Sequence, residues 1–454
     1  MSEVIVNRFQ SLAIRRFAVV FTGATPRRDD PANWDGGTIP WINSGAVNQR
    51  RIVRHSSLIT KQGFQSSSTK WIPAGSVVIA MAGQGKTKGM AATVERPMTG
   101  NQSLAALIVN RRIMDYRYLA FALEPEYRNL RGVVGNEERS GLSLQDIRSF
   151  KIPVPSLEEQ GLMVRYLDHA ELRIAKAIAA KTELARLLQQ QRLALLCSEV
   201  LGRDEDKDNS RDFGRLVERR VLDWVGPVPK SWDVVPMSGV FDVVKQRNIG
   251  LIENTVLSLS YGRVVIKPAE KLRGLVPESF ETYQIIEPGD VIVRPTDLQN
   301  DTTSLRIGQA RDRGIITSAY IALRPKKHVD PDYVMMQLAA YDFLKVLYGF
   351  GSGLRQNLDF KHLKHVPMML PRLAEQSAIV SRVRAKTKSV EQAHAAILQE
   401  IALLKEYRTR LISDVVTGKL DVHQVAAKLP EIDPMELANV VVGENDDEGA
   451  TDDD

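Results

Sequence analysis

The segment Val77–Met90, VVIAMAGQGKTKGM, runs from apolar residues into a glycine-bracketed cluster of lysines. Within it, AMAGQGKT at 80–87 fits a relaxed Walker A pattern, with Ala80 in place of the first glycine. A working phosphate loop opens a long helix and needs a distant carboxylate for magnesium. Here Gly89 follows Thr87 almost at once and Pro97 comes soon after, so no sustained helix fits. The same residues suit a second chemistry: glycines let a backbone approach closely, and Gln84, Lys86, Thr87 and Lys88 sit on a turn whose cations can neutralise phosphates. An exposed basic hairpin that contacts nothing is the third reading.

Other chemistries find less support. GFGSG at 349–353 mimics a cofactor-binding glycine loop without a clear strand and helix around it. His362 and His365 are the nearest approach to metal-ligand spacing and read as exposed polar residues, so no metal site is expected. The single cysteine, Cys197, cannot form an internal disulfide. No Pro-Pro dipeptide exists to build the Asp/Asn-Pro-Pro-aromatic motif of an amino-methyltransferase, and no Ser, His and Asp constellation follows from spacing.

The partner is indicated by charge. Ten of the 55 acidic residues lie in 431–454, where there is no Lys or Arg, so residues 1–430 carry +16 against +6 for the whole chain. Such an excess favours a polyanion, although it is also a solubility device. The acidic tail, 421–454, is expected to be disordered. No apolar run approaches the ~20 residues of a membrane span, and Met1–Val6 lacks the features of a signal peptide, so a cytoplasmic location is expected.

These residues are carried by a repeated scaffold. PSLEEQ at Pro155 returns as PRLAEQ at Pro371, an offset of 216 residues that holds from Gly135/Gly351 to Gly202/Gly418. After each proline come about forty residues free of proline and rich in Ala, Leu, Lys, Glu, Gln and Arg, a pattern that predicts one long helix stopped by Gly202 or Gly418. Leu167, Ile174, Lys181, Leu188 and Leu195 share a seven-residue register in the first, and Val383, Val390, Ile397, Leu404 and Leu411 in the second. One stripe on each predicts that the two helices pack as a coiled coil, antiparallel because the chain must return through a whole domain between them. Two unrelated core helices are the alternative.

Ahead of each helix lies a mixed region with short β-type runs, frequent Gly and Pro, and basic loops. The first covers 1–150, with strands at 76–80 and 104–109 and a helix at Tyr116–Leu123. The second covers 226–366, after a polar linker at 203–225, with strands at 290–293 and 318–323 and a helix from Pro331 to Leu347. The fold class is α+β: two mixed α/β domains in tandem repeat, separated and joined by long helices at 151–202 and 367–420.

The order of divergent domain, IPVPSLEEQ plus helix, GPVPKSW, second divergent domain, GLRQNLDFKHLKHVPMMLPRLAEQ plus helix and LISDVVTGKLDV resembles the specificity subunit of a type I restriction-modification system. GATPRRDDPANWDGGTIPWINSG and GQGKTKG are similar to a first target-recognition domain, EPGDVIVRPTDLQND and ITSAYIALRP to a second. Where the second copy has GSGLRQNLDFKHL the first has the divergent GNEERSGLSLQDI. The resemblance implies two target-recognition domains that each read half of a bipartite site in double-stranded DNA. It also implies two methyltransferase subunits and translocating nuclease subunits around them, with a methylation-only complex left open. No cofactor is then expected in this chain; S-adenosylmethionine, ATP and magnesium would serve adenine methylation and ATP-driven cleavage on the partners.

Sequence discrimination needs side chains such as Arg on guanine and Asn or Gln on adenine, while Lys, Ser and Thr on phosphate mainly set position. The candidates in the first domain are Arg27, Arg28, Asn43, Ser44, Gln84, Lys86 and Lys88. In the second they are Arg263, Arg294, Thr296, Asp297, Gln299 and Asn300, with Arg355 and Gln356 where the domain meets its helix. Asn43 and Asn300 can equally satisfy turns. A P-loop NTPase using AMAGQGKT and a coiled-coil adaptor that binds only proteins are the alternative functions.

Overall fold

A computed structural model describes residues 8–82, 87–132, 141–202, 210–211, 228–260, 262–268, 279–296, 298, 305–350, 357–433 and 435–437. The chain divides into two compact units, one of residues 1–184 and 396–454, the other of 185–395. Both cuts fall inside long helices, Leu157–Val200 and Leu373–Val416, so each unit holds the first part of one helix and the last part of the other.

In the first unit a five-stranded sheet runs in the order 18–22, 104–109, 76–80, 91–94, 51–52, with a four-stranded sheet of 57–59, 39–42, 98–100 and 71–72 beside it in sequence. The second unit repeats the order of the first four strands: 241–243, 321–325, 291–293, 307–309. The recurrence therefore extends well beyond the helices into domains whose sequences differ. Helix Tyr116–Leu123 forms over the predicted residues, with Asp115 as its N-cap. Its counterpart runs Pro331–Phe343 behind Asp330 and gives way to a 3-10 turn at Val346–Phe350, shorter than the predicted helix.

The long helices begin at Leu157 and Leu373, two residues after Pro155 and Pro371 as the proline pattern predicts, so the first residues of 151–202 and 367–420 are not helical. Lys151–Pro153 pairs with Ser11–Ala13, and Pro367–Leu370 with Asp233–Pro236, as antiparallel strands. The closely spaced prolines hold both segments extended. Gln160 and Gln376, both buried, then make the same staple. Gln160 donates to the Ile113 and Pro155 carbonyls and accepts the Asp115 N–H at 2.8 Å; Gln376 donates to the Pro371 carbonyl and accepts the Asp330 N–H at 2.8 Å. Each domain's helix cap is thus tied to the start of the long helix that follows it. Ser156 and Glu159 form a capping box, and these bonds hold the Glu159 carboxyl below its usual pKa. In the second copy, with Arg372 in place of the serine, Glu375 accepts from the Trp232 indole at 2.7 Å instead. Gly202 and Gly418 follow the last turns at φ 66° and 74°, a left-handed stop that glycine adopts readily.

The helices pair antiparallel in each unit. In the first, Glu171 meets Arg408 and Lys181 meets Glu400; in the second, Arg192 meets Glu391 at 2.6 Å and Glu199 meets Arg382 at 2.9 Å. Leu167, Ile174, Val383, Val390, Ile397 and Leu411 are buried along the seam and Leu188, Leu195 and Leu404 half-buried. The helices' far ends complete the domain cores. Leu411, Ile412, Val415 and Val416 share a cluster with Ile14, Phe17, Val77, Leu107 and Tyr118; Leu196, Cys197, Val200 and Leu201 share another with Phe241, Val291, Tyr333 and Met368. Buried Tyr118 donates to the Pro153 and Val416 carbonyls, and Tyr333 repeats this with Met369 and Val200. The chain after the second helix is ordered further than its acidity suggested. Val422 and Ala426 are buried, Leu437 packs on Ala175, and Arg165 reaches Glu431, so the disordered tail expected from 421 does not begin there.

A buried charge network sits where the first domain meets both helices. Arg408 pairs with Glu171 and Glu124; Arg51 pairs with Asp168 at 2.5 Å and Glu171 at 3.5 Å; Arg117 reaches Asp168 at 3.5 Å. Burial alone would raise the Glu124 and Glu171 carboxyls, but the Arg408 guanidinium holds both below the ordinary value. Burial pushes Asp168 up to about 6 against the pull of Arg51. Removing one member strands the opposite charge. Arg408→Met is expected to cost about 3–5 kcal/mol in denaturant unfolding at neutral pH. In the native protein, stability from the lowered Glu124 and Glu171 pKa values is present above the ordinary carboxylate range and lost as pH falls through them. Without Arg408, Glu171 keeps Arg51 at 3.5 Å and Glu124 keeps Arg50 at 3.6 Å, so both carboxyls lose their strongest lowering partner and take up protons in the folded state at higher pH than in the native protein. The deficit should therefore narrow toward pH ~4. A pH-independent deficit would show that Arg408 acts by packing alone.

Candidate nucleic-acid interface

Register places the candidate loops of the first unit at one edge of its larger sheet. Thr22 faces Ala105, Ala80 faces Leu104, and Ile79 faces Ala91, so the segments after Thr22 and after Ala80 leave from the same end. Ile42 pairs with Gly100 and accepts the Asn101 N–H, which brings Asn43 and Ser44 to the residues leading into Leu104. Arg27, Arg28, Asn43, Ser44 and Lys88 are therefore gathered from three separate stretches.

Their surroundings differ. Arg27 and Arg28 are exposed; Arg27 pairs with Asp29 at 2.8 Å, and its carbonyl accepts from the Trp34 indole and the Asn33 amide, which fixes this turn. The Asn43 Oδ1 accepts the Gly45 N–H at 2.9 Å as the cap of the 3-10 helix Ser44–Gln49, so that oxygen is committed to the backbone. Lys88 is half-buried beside a tight return in which Gly89 donates to the Ala80 carbonyl at 2.8 Å and Met90 to Thr87 at 2.9 Å. Gln84 and Lys86 lie outside the described residues. The segment joins strand 76–80 to the antiparallel strand 91–94, and a strand followed by a strand has no helix N-terminus to cradle phosphates. The NTPase reading is not favoured for that reason.

The second unit repeats the placement. Val293 faces both Ile307 and Ile321, and the chain leaves strand 241–243 at the same end, where Val244 donates to the Ala322 carbonyl. Arg294 is half-buried and Thr296 exposed there. Arg263 opens strand 263–266 of a hairpin whose turn packs on this edge: a Cβ at Gly262 would lie 3.0 Å from the Leu305 Cβ. Asp297, Gln299, Asn300, Arg355 and Gln356 lie outside the described residues, but their anchors do not. The Leu358 N–H donates to the Pro295 carbonyl at 2.8 Å, and in the first unit Leu142 donates to Met81 at 2.8 Å. In each domain the edge loop and the segment that leads toward the long helix are joined at one point.

Sequence reasoning missed Arg306. It is fully buried, donates to the Thr296 carbonyl at 2.5 Å and to the Tyr348 hydroxyl at 3.1 Å, and its guanidinium lies 5.5 Å from the Tyr348 ring centroid. It fixes the root of the edge loop from inside the core, and only its contacts reveal it. Among the described residues no group of three His, Cys, Asp or Glu side chains could hold a metal, and no helix is long and apolar enough to cross a membrane. For Asn43→Ala, loss of the cap should cost about 1 kcal/mol, read by thermal unfolding, with base preference unchanged. A changed base preference at full stability would assign the side chain to DNA instead.

Residues 10–184 match the family described as Type I restriction modification DNA specificity domain. The chain is 29% identical over 151 residues to the EcoR124I/EcoR124II specificity subunit of Escherichia coli, covering 33% of this chain and 37% of that one. It is 21% identical over 354 residues to the Escherichia coli EcoBI specificity subunit, covering 71% and 70%. The fold is similar to a chain solved in work on complex assembly and conformational transition of the type I R-M system, with a TM-score of 0.57 at 15% identity over 91% of this chain and 98% of that one. The family match covers residues 10–184, and along more of its length the chain is similar to type I restriction-modification specificity subunits.

Proposed function

We propose that this chain is the DNA-reading subunit of a type I restriction-modification complex, with each domain addressing one half of a bipartite target and the paired helices setting the spacer. One observation carries the reading: the two units present basic and polar loops from the same edge of a repeated sheet, although the sequences of the two domains differ. The charge of +16 on residues 1–430 supplies the attraction to a polyanion. Chemistry belongs to partners: methyltransferase subunits with S-adenosylmethionine, and nuclease subunits with ATP and magnesium.

Methylome sequencing of a host that expresses this chain with its methyltransferase should reveal a split motif modified on both strands. Replacing residues 1–150 with another member's first domain should then change one half of the motif and leave the other intact. A change in both halves would refute the modular reading.

Lys86→Ala with Lys88→Ala should weaken specific and non-specific DNA binding together and flatten the log–log salt dependence by up to about one unit per lost phosphate contact. An altered base preference at unchanged slope would make these lysines base readers.

A further inference from the structure

Three large aliphatic side chains stand in solvent within four consecutive residues of the second unit: Ile249, Leu251 and Ile252 are 72%, 47% and 64% exposed. Their loop follows strand 241–243, so it starts from the edge that carries Arg294 and Thr296. It occupies the place in the repeat that the loop with Arg27 and Arg28 takes in the first unit.

The loop is held firmly. Asn248, fully buried, accepts the Glu253 N–H at 3.0 Å and donates to the Glu253 carbonyl at 2.8 Å, while Leu251 donates to the Asn248 carbonyl at 3.0 Å. The Gly250 N–H donates to the Glu281 carboxylate at 2.9 Å, and Arg313 braces Glu253 at 3.3 Å. Leu251 sits at φ 53°, directly after Gly250 at 76°. A glycine or asparagine would hold that conformation with less strain. The chain places an exposed leucine there instead, an arrangement that makes physical sense if the apolar tip has something to touch.

The flanks point to its occupant. Lys245, Gln246 and Arg247 are exposed immediately before the tip, whereas Glu253 and Glu281 are turned toward backbone amides and Arg313. An apolar tip on a cationic stem, on a loop that starts from the edge carrying Arg294 and Thr296, matches a DNA groove better than an apolar protein face. The major-groove edge offers one apolar feature, the thymine C5-methyl group. We propose that Ile249, Leu251 and Ile252 read thymine methyl groups in the half-site addressed by the second unit. This rests on the DNA-reading function proposed above and adds to the polar code an apolar one.

The test uses the full chain with its methyltransferase subunit and duplexes that carry the motif found by methylome sequencing, with thymines replaced by uracil one at a time. In the second half-site at least one replacement should weaken binding roughly fourfold, the effect of withdrawing one methyl-sized apolar group. In Ile249→Ser with Ile252→Ser, the thymine and uracil duplexes should bind alike at that position, while any uracil penalty in the other half-site persists. Both residues are exposed, so thermal stability should be unchanged. Uracil sensitivity that survives in the variant overturns the proposal, as does a second half-site without A·T pairs. Loss of methyltransferase association with uracil sensitivity retained overturns it too, and assigns the tip to a protein. A native complex with no sequence-specific binding to any duplex would refute the DNA-reading function itself.

Discussion

Neither repeat can close its own core. The first domain's strands and the helix Tyr116–Leu123 leave an apolar face that Leu411, Ile412, Val415 and Val416 fill, and those residues belong to the helix that follows the other domain. Leu196, Cys197, Val200 and Leu201 perform the same service for residues 228–369. Long helices expose too much apolar surface to stand alone, and short-stranded domains bury too little, so each requires the other. The buried glutamines and tyrosines are the polar expression of that requirement, because they satisfy backbone groups at the joints where domain and helices meet.

The two joints are not equivalent in chemistry. In the first, Arg408, Arg51, Glu171 and Asp168 are buried and interleave with the partly exposed Glu124 and Arg117. In the second, Glu199 takes Arg382 and Lys386, whose side chains are about half exposed. Burying charges is costly unless every one is matched, so the first joint tolerates few alternatives in register or partner, while the second is held more by apolar packing.

The repeat could be read from the sequence because its cause is local and periodic. Proline spacing, the glutamine of PSLEEQ and PRLAEQ, the glycine stops and the apolar register all survive in both copies, and each has a contact that explains it. The second seam position was hidden: Glu171, Arg192, Glu199, Thr387 and Arg408 fall four residues after the apolar stripe, so a search for hydrophobic periodicity passes over them. The candidate loops were legible as basic and glycine-rich, but their convergence on one edge depends on strand register, which composition does not encode. Asn43 was ambiguous between cap and contact until its Oδ1 was seen on the Gly45 N–H. Arg306 and the Ile249–Ile252 tip carry no motif at all; one is defined by burial, the other by its absence.

The hydrogen bond from Tyr118 to the Val416 carbonyl spans 298 residues of chain, and Arg8 donates to Thr417 across a greater distance still. The second unit, by contrast, is one continuous stretch from 185 to 395. On a ribosome adding about 5–20 residues per second, the first domain waits roughly 15–60 s for the helix end that seals it. The domain translated first is thus the last to be finished, and its apolar face stays unsealed throughout that interval.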